Sequence, residues 1–84
     1  MTIYYKRSDI ELLLHAGAIQ SVEIFAGEDG LCVRVNAKNG SGLLLNERSQ
    51  IRIFAKIDTA AKYLHEIGIS KILLELQHWT PGRT

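Results

Sequence analysis

Residues 50–76, QIRIFAKIDTAAKYLHEIGISKILLEL, decide the fold class. Ile51, Ile53, Ala55 and Ile57 alternate with Arg52, Phe54 and Lys56. That period of two predicts a half-buried strand. Asp58 fits an N-cap, because its carboxylate accepts from the free amides of a first helical turn and sits at the positive end of the helix dipole. The helix is predicted from about Thr59 to Ile67. Ala60, Leu64 and Ile67 fall at i, i+4 and i+7 and make one apolar stripe, while Lys62, His65 and Glu66 take the wet face. Gly68 follows where a left-handed residue is wanted. From Lys71 to Leu76 the alternation resumes, with Ile72, Leu74 and Leu76 on one face. If this crossover spans one sheet, its flanking strands are parallel.

Upstream, Thr2–Lys6 is an edge strand or an extended arm. Ser8 and Glu11 match a capping box, and Ile10, Leu13 and Leu14 then give a short helix an apolar stripe that ends at Gly17. A helix this short must pack on something to persist. Ala18–Ala26 predicts a strand with Val22 and Ile24 inward and Glu23 and Phe25 outward. Gly27–Gly30 is a turn. Leu31–Ala37 predicts the next strand, with Leu31, Val33 and Val35 on one face and Cys32, Arg34 and Asn36 on the other. After a turn at 38–42, Leu43–Leu45 opens a third strand, and Asn46–Ser49 returns the chain to the strand at Ile51. The expected architecture is α+β: an N-terminal helix, a four-stranded antiparallel meander, a helix and a final strand, in one mixed sheet. Residues 1–84 read as a single domain, with 1–7 and 78–84 expected to be flexible.

At 84 residues the chain lies near the lower end of what builds a core unaided, so self-association would add useful buried area. A hydrophobic fraction of 46% is ordinary for a folded protein. Ten Lys and Arg against nine Asp and Glu leave a net charge of +1, with no strong basic field to announce nucleic acid. Cys32 is the single cysteine, so no intramolecular disulfide forms and a reducing compartment is favoured. No apolar run approaches the roughly 18 residues of a membrane span. The N-terminal residues lack the features of a secretory signal. The expected location is cytoplasmic, without a membrane partner.

The face of the sheet away from the long helix carries Phe25, Leu44, Phe54 and Leu73 by alternation, among Glu23, Arg34, Arg52 and Glu75. Three readings compete for these four apolar groups. The first helix packs across them in a three-layer domain, or a second copy covers them in an isologous dimer. Alternatively they stack nucleobases through Phe25 and Phe54, with Arg34, Arg52 and Lys56 on phosphates. Arg48 clusters with Arg52 and Lys56 near one hairpin, diluted by Glu47 and Asp58.

No catalytic residues stand out. His15, His65 and His78 lack the i, i+4 spacing of a helical zinc pair, and Cys32 has no cysteine partner. Cys32 falls in mid-strand, away from a setting that would lower its pKa. The glycine pairs open no helix after a strand, so they read as hairpin turns rather than phosphate loops. The chain is expected to be no enzyme and to use no metal or cofactor. Its expected partner is another protein or itself, with nucleic acid as the alternative.

One further pattern runs from Leu43 to Leu76. Leu45 is followed by Asn46-Glu47-Arg48, then Arg52-Ile53-Phe54, Ile57-Asp58-Thr59-Ala60-Ala61, Tyr63-Leu64 and Glu66-Ile67-Gly68-Ile69. This run resembles small accessory proteins of plasmids and integrating elements, the ParC-type partition-associated factors (unrelated to the topoisomerase subunit of that name). The resemblance implies a bacterial origin, a non-enzymatic accessory role and an association with DNA segregation. It carries no functional residues over to this chain.

Overall fold

The structure, a computed structural model, describes residues 3–79. Its elements are β1 (Ile3–Tyr5), α1 (Arg7–His15), β2 (Ile19–Ala26), β3 (Leu31–Ala37), β4 (Gly40–Leu44), α2 (Ile57–Ile67) and β5 (Leu73–Glu75). The five strands form one mixed sheet in the order β1-β4-β3-β2-β5. β2, β3 and β4 are an antiparallel meander, and each edge strand joins it in parallel, β1 on β4 and β5 on β2. The fold is therefore α+β, as expected. Of the end residues expected to be flexible, 1, 2 and 80–84 lie outside the described residues. Ile3–Tyr5 are a strand, and Arg7 opens α1.

Both helices lie on one face of the sheet. Ile10 of α1 and Ala60, Leu64 and Ile67 of α2 join the same buried cluster as Val22, Ile24, Val33, Val35 and Leu44. The expected stripe of α2 is thus its buried face. Gly68 caps the helix in the left-handed region at φ 119°. A Cβ there would also approach Leu14 Cδ2 to 2.9 Å, so the glycine serves the contact between the helices as well as the cap. Each helix starts slightly earlier than its sequence signal. In α1 the Lys6 amide donates to Asp9 Oδ2 at 2.9 Å, in place of the Ser8–Glu11 box, and Glu11 pairs with Arg7 instead. In α2 Asp58 lies inside the first turn, where Lys56 is the N-cap, and still accepts from the Thr59 amide.

β1 owes its place to Gly42. The backbone pairs Ile3 with Gly42 and Tyr5 with Leu44. A Cβ on Gly42 would meet the Ile3 carbonyl oxygen and the Tyr5 ring, each at 2.7 Å. The Tyr5 hydroxyl donates to the Gly40 carbonyl at 3.0 Å and locks the ring over this stretch.

The strand expected at 51–57 is reduced to two isolated bridges, Leu45 with Ile51 and Leu31 with Phe54. Leu31 and Phe54 exchange both backbone hydrogen bonds at 2.8 Å. This inverts the expected facing: Phe54 is 2% exposed and Ile51 and Ile53 are each 40% exposed. Burying one ring against Tyr63, at a centroid distance of 5.5 Å, outweighs the alternation of the isoleucines.

Candidate association face

With both helices on one side, the opposite face of the sheet has no covering element among the described residues. The three-layer reading is therefore corrected: α1 packs beside α2 and not across the second face. The strand register places Tyr4, Leu43, Arg34, Glu23 and Leu73 in one row across this open face, one residue per strand from β1 to β5. Tyr4 is 49% exposed and Leu73 60% exposed, so the two ends of the row are large apolar groups facing solvent. Its centre is an ion pair, with Arg34 Nη1 3.6 Å from Glu23 Oε2.

Neighbouring rows support that centre. Phe25 and Cys32 are register partners on the side toward the Gly27–Gly30 turn. The Arg34 guanidinium lies over the Phe25 ring at 4.4 Å. On the other side, Asn36 donates to Ser21 Oγ at 2.8 Å and to Glu23 Oε1 at 2.7 Å, and Ser41 donates to Asn36 Oδ1. The face thus mixes polar and apolar groups, with Arg34 and Glu23 held by the contacts around them.

Of the four expected interface residues, Phe25 and Leu73 lie on the open face, whereas Leu44 and Phe54 do not. Leu44 is 0% exposed and belongs to the core. In the Leu43-Leu44-Leu45 run, alternation alone gives no phase, and pairing of Arg34 with Leu43 sends Leu43 outward instead. Phe54 is in the core, bridged to Leu31 and packed on the Tyr63 ring. Tyr4 and Leu43 take their places on the open face, and neither follows from its local sequence.

The four candidate nucleic-acid contacts, Arg34, Arg48, Arg52 and Lys56, are not brought together either. Arg34 is on the open face and paired with Glu23. Arg48 is exposed in the turn after β4, and Lys56 is the exposed N-cap of α2. Arg52 packs on the helix side, over the Phe54 and Tyr63 rings at 4.9 and 5.2 Å. A nucleobase platform built from Phe25 and Phe54 fails for the same reason, since the two rings belong to opposite sides of the sheet.

Cys32 is covered by the Gly27–Gly30 turn, where a Cβ on Gly27 would come within 3.1 Å of its Sγ. Burial and then the charge of Asp29 push its thiol pKa up, against a smaller lowering by Arg34. That is the wrong direction for a nucleophile. Among the described residues, no three His, Cys, Asp or Glu side chains are grouped to hold a metal ion, and no helix is long and apolar enough to cross a membrane.

These features define a small two-layer α+β protein with one helical face and, among the described residues, one uncovered sheet face. The chain belongs to the ParC-like family, whose model matches residues 7–84. The resemblance carried by residues 43–76 thus extends over most of the chain. No curated protein and no solved structure matches it.

Proposed function

We propose that this chain is a non-catalytic, cytoplasmic accessory protein that works by protein–protein association, in the maintenance of a plasmid or mobile element. Membership of the ParC-like family supports that setting. The observation that carries the mode of action is the row Tyr4, Leu43, Arg34, Glu23 and Leu73 on the helix-free face.

The row is self-complementary. A two-fold axis parallel to the strands and passing between β3 and β2 sets Arg34 against the partner's Glu23 and Leu43 against the partner's Leu73. Each charge then meets its opposite and the two leucines meet each other, while Tyr4 on β1 falls outside the partner's edge strand β5. This is the arrangement an isologous contact requires, and aligned sheets pack face to face in this way. The two ion pairs would merge into a four-charge cluster, which fixes register more than it adds affinity.

Solution mass by light scattering across a concentration series tests the reading. A dimer at low micromolar concentration that Leu73→Asp converts to a folded monomer supports it. A monomer throughout, or a dimer indifferent to Leu73→Asp, removes self-association through this face.

A further inference from the structure

We propose that the cleft between the start of α1 and the turn after β4 binds the phosphate group of a small phosphorylated molecule. The cleft has a volume of about 310 Å³ and is lined by Lys6, Arg7, Ser8, Asn46, Arg52 and Tyr63, with Leu45 and Glu47 completing its wall. It lies on the helix side of the sheet and shares no residue with the open face.

Three cations converge on this space against one lining carboxylate, Glu47. Arg7 is partly answered by Glu11 at 3.3 Å, an exposed i, i+4 pair. Lys6 and Arg52 have no carboxylate within 4 Å among the described residues. The positive end of the α1 dipole adds to the same sign.

The Arg52 guanidinium lies over both Phe54 and Tyr63, and Arg7 lies over the same Tyr63 ring at 5.4 Å. Stacking occupies the faces of a guanidinium and leaves its in-plane N–H donors to other partners. Arg52 Nε is buried and has no hydrogen-bond partner among the described residues. Buried donors are normally satisfied, and an orphan calls for an explanation. Two guanidiniums brought to one ring also repel each other, and an anion between them relieves that repulsion. Asn46 adds donors of its own. Its Oδ1 accepts from the Arg48 and Gln50 amides, so its remaining hydrogen-bonding capacity is the carboxamide N–H pair.

A single guanidinium fork satisfies a carboxylate. Three separate cations with a hydroxyl and a carboxamide suit an anion of higher charge with more acceptor oxygens, which is a phosphate. The cleft is within the size range of small-molecule sites. The cations gather in one concave spot on a chain of net charge +1, rather than along a stripe as a nucleic-acid backbone would need.

The test is an amide and arginine-side-chain NMR titration of the full chain with inorganic phosphate, AMP, acetate and a short DNA duplex. Saturable shifts at Asn46, Arg52 and Tyr63 with phosphate and AMP, and none of comparable size with acetate, are expected. Arg52→Gln should weaken binding about tenfold or more. The double variant Lys6→Gln, Arg7→Gln changes exposed positions and keeps the fold, and it should weaken binding as well. Equal affinity for phosphate and AMP assigns recognition to the phosphate alone, whereas tighter AMP binding adds the Leu45–Tyr63 wall; both support the proposal. Shifts that do not saturate, that survive both variants, that acetate reproduces, or that appear with the duplex alone overturn it.

Discussion

Arg34 on β3 and Glu23 on β2 are register partners at the centre of the open face, their charged atoms 3.6 Å apart. Each is held from a second direction, Arg34 by the Phe25 ring and Glu23 by the Asn36 carboxamide. In the monomer, a double-mutant cycle with Arg34→Ala and Glu23→Ala should give a coupling of about 0.2–1 kcal/mol, the range for solvent-exposed pairs. Added salt should reduce it. A coupling above that range, insensitive to salt, would show a pair far more shielded than this face allows.

Leu73 and Phe54 make opposite predictions from similar chemistry. Leu73→Asp alters a side chain that is 60% exposed in the single chain, so the stability of the monomer should change by about 0.5 kcal/mol or less. Phe54→Ala empties a core position that is 2% exposed and should cost about 3–5 kcal/mol in urea unfolding. Comparable losses for the two would contradict the assignment of Phe54 to the core and Leu73 to the open face.

Gly42→Ala should detach β1. Its added methyl has no room between the Ile3 carbonyl and the Tyr5 ring. A cost of about 1–3 kcal/mol is expected from the overpacking. Hydrogen exchange locates the effect: the Leu45 amide, which donates to the Tyr5 carbonyl at 2.8 Å, should lose protection. The Val35 amide region, in the middle of the meander, should keep it. Unchanged protection at Leu45 would place β1 elsewhere.

Cys32 should react slowly with a thiol reagent in the native state, because burial and Asp29 hold its thiol above the ordinary range. The sign of the linked stability effect follows. A group whose native pKa exceeds its unfolded value contributes stability that is fully present below the unfolded pKa and is lost as pH rises toward the native one. Alkaline pH should therefore destabilise the wild-type chain more than Cys32→Ala. Equal slopes for the two chains across that window would remove Cys32 as the source.

Much of the fold is legible in local sequence. The Ala60, Leu64 and Ile67 stripe and the Gly68 cap depend on neighbours within a turn of helix, and both appear as read. Val22, Ile24, Val33 and Val35 alternate cleanly, so the β2–β3 pair and its inward face follow from a period of two. The α+β class needs no more than these.

The tertiary structure decided the rest, because the deciding contacts join residues far apart in the chain. Phe54 is buried through its bridge to Leu31, which overrides the alternation around it. Leu43 rather than Leu44 faces outward because β3 fixes the register, a choice that three consecutive leucines leave open. β1 reaches β4 through a glycine some forty residues away, and that pairing brings Lys6 and Arg7 to Arg52. Local periodicity specifies which side chains prefer burial. Competition among distant segments for the same core, settled by ring packing and strand register, specifies which of them obtain it.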